Sequence, residues 1–136
     1  MRQTNVKRGA IRVVAGSTLT GKEGYLVKVV DSAGVLKAYL PAALLDVAAY
    51  VVIEGAAAGS LCSIQPLEPG QQVRVVANSA TFVGGDKVVA YASGHEGEAT
   101  EYAGSGAVFC VGVAEEVGDT AGQWVLIRPV LSFLTV

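Results

Sequence analysis

Charge and aromatic rings are both scarce in this chain. Of its 136 residues, 16% are charged and 7% aromatic, and the net charge is −2. No broad electrostatic field is therefore available to draw in nucleic acid. Histidine occurs once, as His95, and cysteine twice, as Cys62 and Cys110. A lone imidazole leaves one candidate base for a Ser-His-Asp triad, and no Gly-x-Ser-x-Gly elbow accompanies it. Zinc needs three or four ligands, for which one histidine and two separated cysteines are a thin set. Each cysteine sits in an apolar, strand-like run and reads as a small buried hydrophobe rather than half of a disulfide or a metal ligand. Long apolar runs are missing too. The longest apolar region, residues 42–53, is broken by Asp46 and is far short of the roughly 20 residues that cross a bilayer. The N-terminus is polar and lacks the apolar segment of a signal peptide. The expectation is no membrane, no metal, no cofactor and no catalytic residue.

Half of the residues (51%) are apolar, mostly Val and Ala, and 17 are glycine. A chain of this length makes one domain with one real core, and this composition suits neither a disordered tail nor a coiled coil. Abundant Val broken by Gly argues for many short strands. Two stretches also match each other. Thr18, Gly21, Gly34, Tyr39, Gly55, Ala58, Gly59, Ile64 and Pro66 recur as Thr81, Gly84, Gly97, Tyr102, Gly118, Ala121, Gly122, Ile127 and Pro129, always 63 residues later. Substitutions between the copies are mild, such as Glu23 to Asp86, Leu61 to Trp124 and Leu67 to Val130. The expected fold is all-β, a small barrel or sandwich made by internal duplication. Its halves cover about 11–67 and 74–130, within a single β domain at 11–136. Two similar halves closing on each other would also remove exposed edges.

Residues 1–10 read as an extended N-terminal arm, polar and locally basic. Strands are expected at 11–14, 25–30, 35–40, 48–53 and 60–67 in the first copy. In the second they are expected at 72–77, 87–92, 98–102, 108–114 and 123–130. Asp31-Ser-Ala-Gly34 fits a hairpin loop with glycine in the left-handed position. Pro41 could open a short helix over 41–45, since proline is favoured at the first helical position. The equivalent 104–108 cannot be helical, so such a helix would belong to one copy only. Pro66 and Pro129 mark strand ends or edges, because proline donates nothing to a ladder. In the last strand Trp124, Leu126 and Arg128 share one face, and Val125, Ile127 and Pro129 the other.

Several segments imitate chemistry. Gly16-Ser-Thr-Leu-Thr-Gly21-Lys22 resembles the start of a phosphate-binding loop, but Glu23 stands where Ser or Thr should hold magnesium. A strand follows where the motif needs a helix. His95, between polar turn residues, reads as a solvated loop tip. Glu115 and Glu116 are adjacent, so on a strand they point to opposite faces and cannot share a site; they read as a strand end. The five tyrosines are not interleaved with basic residues as a strand-binding face for nucleic acid requires. Tyr39 and Tyr102 recur at one repeat position, which favours packing.

Residues 108–128 are similar to the closing hairpin of a family of tailed-phage capsid decoration (cement) proteins. In that family a Gly-Val-Ala strand with an acidic end leads into an Ala-Gly turn and a final strand. Residues 49–64, with Ala58-Gly59 at the turn, resemble the family's first such hairpin, and residues 19–30 its opening. The chain departs from the pattern at Ala49-Tyr50-Val51 and extends past the last hairpin with residues 131–136. The resemblance implies a structural virion protein, without cofactor or catalysis. Such a protein would be made in the host cytoplasm, sit on the outer capsid surface and stabilise the assembled shell. Its partners would be the major capsid protein and its own copies, with a homotrimer favoured. Contacts are placed on the basic arm and following strand (Arg2, Lys7, Arg8, Arg12) and on the apolar C-terminal tail (Leu131, Phe133, Leu134). A competing reading is a non-catalytic β-barrel module of a phage tail or fibre that recognises carbohydrate or protein.

Overall fold

Valine-rich segments separated by glycine turns form ten strands in the computed structural model, which describes residues 9–78, 83–91, 94–118 and 122–134. They are β1 (Ile11–Ala15), β2 (Leu26–Ser32), β3 (Val35–Tyr39), β4 (Tyr50–Glu54) and β5 (Leu61–Pro66) in the first copy. In the second they are β6 (Val73–Val76), β7 (Lys87–Ala90), β8 (Ala99–Glu101), β9 (Val108–Ala114) and β10 (Trp124–Leu134). No helix occurs among the described residues. The first five strands close into a barrel in the order β1-β3-β2-β4-β5, and β5 returns antiparallel to β1. The second five form a sheet in the order β6-β10-β9-β7-β8. That is the same neighbour scheme, with a parallel bridge between Ala77 and Ala99 joining the ends where β6 and β8 approach. In the first barrel the parallel pair Ala15–Ala38 makes the corresponding closure.

The backbone bonds of one copy recur in the other. Ala15 N–H to Ser60 O (2.8 Å) matches Ala77 N–H to Gln123 O (2.8 Å). Gly16 N–H to Ala38 O (2.7 Å) matches Asn78 N–H to Ala99 O (2.8 Å). Gly24 N–H to Val52 O (2.9 Å) matches Gly85 N–H to Ala114 O (2.9 Å). These matches refine the single sequence offset. Ser60 and Gln123 keep a separation of 63, Ala15 and Ala77 stand 62 apart, and Gly24 and Gly85 stand 61 apart. On this alignment Ile11-Arg-Val-Val-Ala15 overlies Val73-Arg-Val-Val-Ala77. Tyr39 and Tyr102 separate: Tyr39 lies within β3 with its ring against Gly16, whereas Tyr102 follows β8 and its hydroxyl donates to Gly106 O (3.0 Å).

The two copies share a core. Consecutive apolar residues on β2 and β4 point to opposite sides of their sheet. Val27 and Val52 fill the first barrel with Val13, Leu19, Cys62 and Ile64. Their neighbours Leu26 and Val51 point outward, yet they are buried, because they pack with Leu67, Val75, Val88, Val125 and Ile127. Both faces of these strands are covered, which explains why their sequences are runs rather than alternations. Three backbone bonds stitch the seam: Leu26 N–H to Gly97 O (2.7 Å), Val76 N–H to Gly24 O (3.0 Å) and Phe109 N–H to Leu44 O (2.8 Å).

The expected helix at 41–45 is instead a single turn. Asp46 Oδ2 accepts the N–H groups of Ala42 (2.7 Å) and Ala43 (3.0 Å), and Asp46 N–H returns to Ala43 O (3.0 Å). Leu44 O is occupied by the Phe109 N–H from β9, so no further helical turn can use it. Lys28 Nζ, 2.8 Å from Asp46 Oδ2, completes the knot. The Lys28 hydrogen bond, followed by the two backbone donors, holds the Asp46 carboxyl below its ordinary value of 3.8, with partial burial opposing. A carboxyl depressed in the folded state stabilises at pH above its unfolded value, and that contribution is lost as pH falls through the folded one. Asp46→Asn is expected to cost about 1 kcal/mol at neutral pH. Urea titrations of both proteins should show the difference shrinking as pH drops below 3.8.

The β2–β3 hairpin turns on two residues, Ala33 and Gly34, since Ser32 pairs directly with Val35. Both have positive φ (53° and 84°), which suits Gly34 but strains Ala33. Ala33→Asn should raise stability by about 0.5–1 kcal/mol, read as a higher denaturation midpoint. An unchanged midpoint would show that the turn holds no such strain.

Candidate functional site

The expected contact residues are distributed over two sheets. Arg12 is exposed on β1 of the first barrel, while Leu131, Phe133 and Leu134 lie on β10 of the second. Arg2, Lys7 and Arg8 fall outside the described residues, as do Thr81 and Ala121 of the repeat.

The C-terminal segment is a continuation of β10 rather than a separate tail. Pro129 does not end that strand, although Pro66 ends β5. The register against β9 shifts between Pro129 and Ser132, and pairing then resumes as Ser132–Cys110, Phe133–Phe109 and Leu134–Val108. Proline is accommodated because β6 pairs with β10 only from Trp124 to Ile127, leaving Pro129 without a required donor on that side. From Arg128 onward, that edge of β10 has no strand partner among the described residues. The overhang carries exposed Val130, Leu131 and Phe133, and Phe133 is 60% exposed while its ring meets Phe109 edge-on at 5.1 Å.

The carboxylate neighbours act as strand clamps. Glu116 holds Arg74 by two bonds (2.7 and 2.8 Å) and accepts the Leu126 N–H (3.2 Å). Arg74 therefore depresses the Glu116 carboxyl, and Glu116 raises the Arg74 guanidinium in turn. Glu115 accepts from Gln72 Nε2 and lies 3.5 Å from Arg128. Both residues tie the end of β9 to β6 and β10, the strand-end role expected of them.

His95 lies in its turn at the seam between the copies. Its Nδ1 is 2.9 Å from the buried Glu98 Oε2, an ion pair when the imidazole is protonated, and that oxygen has no other donor among the described residues. Glu98 Oε1 accepts from Tyr25 OH (3.2 Å), and burial, then the Glu98 charge, push the Tyr25 hydroxyl up. Lys22, the lysine of the phosphate-loop imitation, lies 4.7 Å from the centre of the Tyr25 ring, and β2 follows it. Cys62 and Cys110 are free and buried, and burial raises the Cys62 thiol. Among the described residues no three His, Cys, Asp or Glu side chains gather as metal ligands.

One feature escaped sequence reasoning. A cleft of about 400 Å³ opens between the copies, lined by Val51, Ile53, Gln65, Val73, Arg74 and Trp124, with Gln71 at its border. Trp124 is 46% exposed there and rests against Gly24. The signal in the sequence was the replacement of Leu61 by the chain's single tryptophan on the outward face of a strand.

No protein-family model matches the chain, and no curated protein matches it. Among solved structures it is similar to the head fiber gp8.5 N base of bacteriophage phi29, with a TM-score of 0.67 at 20% identity. The superposition covers 94% of this chain and 98% of that one. The two proteins share the all-β fold over nearly all of both chains.

Proposed function

We propose that this protein is a structural component of a tailed-phage virion that attaches to the outside of the head and stabilises it. The observation that carries this reading is the full-length likeness to a phage head fiber base. The resemblance of residues 108–128 to decoration proteins points the same way. The partner is the major capsid protein, and a trimer is the favoured assembly. The overhanging edge of β10 supplies a docking element, since its backbone groups beside Val130, Leu131 and Phe133, without a strand partner among the described residues, can add to a strand of a neighbour. Many weak contacts of this kind around a shell sum to strong resistance against rupture. A protein that binds only the expanded shell stabilises that state by mass action.

Purified protein mixed with expanded empty shells should sediment with them at a saturating ratio. Phe133→Asp should reduce that binding at least about tenfold while leaving the melting temperature within a few degrees. Absence of co-sedimentation would overturn the head-binding reading; unchanged binding by Phe133→Asp would remove β10 from the contact.

A further inference from the structure

We infer that the cleft between the two copies is a binding site for a neutral saccharide. Its volume of about 400 Å³ falls within the ~300–1,000 Å³ of small-molecule sites. Its lining combines the two kinds of group that pyranose rings need. Trp124 offers a half-exposed indole, which stacks on the C–H face of a sugar while its own edge is fixed against Gly24. Gln65 and Gln71 offer amides, which donate and accept as hydroxyls do.

Two details select the ligand class. The Arg74 guanidinium in the lining is already held by both oxygens of Glu116, at 2.7 and 2.8 Å. An anionic ligand would meet a guanidinium whose charge is already paired and would bring its own charge beside the Glu116 carboxylate, whereas a neutral one can use the cleft as it stands. Gln65 Nε2 is shielded by its neighbours and has no acceptor among the described residues. Such an unmet donor is uncommon in folded proteins, and a small turn of the amide toward the cleft would let a saccharide hydroxyl satisfy it.

The site also needs both copies. Its walls come from β4 and β5 of the first copy and from β6 and β10 of the second. Leu61, which stands where Trp124 would in the first copy, is exposed on β5. The inference is independent of the head-binding reading: a protein on a virion surface and one on a fibre could each carry the site.

Trp124 is the only tryptophan, so intrinsic fluorescence reports on this cleft directly. The full chain would be titrated with maltohexaose, cellohexaose and N-acetylglucosamine hexamer, with an oligogalacturonate as the anionic comparison. The expected result is a saturable fluorescence change with at least one neutral oligomer. Affinity should be at least about tenfold weaker in Gln71→Ala, at an exposed position, and in Gln65→Ala. Co-sedimentation with shells by the Gln71→Ala variant should be unchanged, which separates this test from that of head binding. No saturable change with any neutral oligomer, equal affinity in both variants, or a response confined to the anionic oligomer would overturn the proposal. So would displacement of the sugar signal by an added unstructured peptide but not by a second sugar, which would assign the cleft to a protein partner.

Discussion

Gly55→Ala is expected to lose about 3–5 kcal/mol of stability, the largest effect of any single methyl group in the described structure. A Cβ at this position would lie 1.8 Å from Leu19 O and 2.7 Å from Leu19 C. The atoms in the way are backbone, so no rotamer change relieves the overlap. The loop 16–24 must move instead. That loop is held by Leu19 N–H to Ala56 O (2.8 Å), and Gly55 N–H donates to Glu23 Oε2 (3.0 Å). Moving it also withdraws Leu19, a fully buried side chain, from the first barrel. Urea unfolding reads the loss directly as a lower midpoint. A change below about 1 kcal/mol would mean that the loop shifts without strain, and the tight approach would lose its significance.

Leu26→Ala should cost about 3–5 kcal/mol, and it should do so in both copies together. Leu26 belongs to β2 of the first barrel, yet its fully buried side chain sits among Val75, Val88, Val125 and Ile127 of the second. A cavity there removes contacts from both sides of the seam. The expected measurement is a pair of coincident transitions: far-UV circular dichroism for the whole chain and Trp124 fluorescence for the seam between the copies. Both should shift by the same amount. If fluorescence and circular dichroism separated, the copies would be unfolding independently and the shared core would not be coupling them.

Much of this architecture could be read from the residues. The repeat, the all-β class and most strand positions follow from valine runs between glycine turns, because those signals are local. The failures have non-local causes. A helix was expected after Pro41 because proline starts helices well, but Asp46, Lys28 and the Phe109 N–H compete for the same backbone. Pro129 was expected to end a strand. It does not, because the partner on its bare side, β6, stops at Val73. A uniform offset of 63 conceals changes in loop length that shift β1 against β6 and β2 against β7, and only the hydrogen bonds expose them. The same limit hid the cleft. Its walls come from strands far apart in sequence, and no local pattern joins Gln65 to Trp124.

The shared core also governs how the chain can be made. A ribosome releases the first barrel before the strands that cover its outer face exist. Ala48, Val51 and Leu67 then wait for Ile127, which emerges 60 residues after Leu67. At ~5–20 residues per second that interval is roughly 3–12 seconds. During it, a closed barrel displays an apolar wall to solvent. Nascent chains on neighbouring ribosomes could meet at that wall, so slow translation through the second copy should favour aggregates, and a chaperone that shields the first barrel should raise the yield.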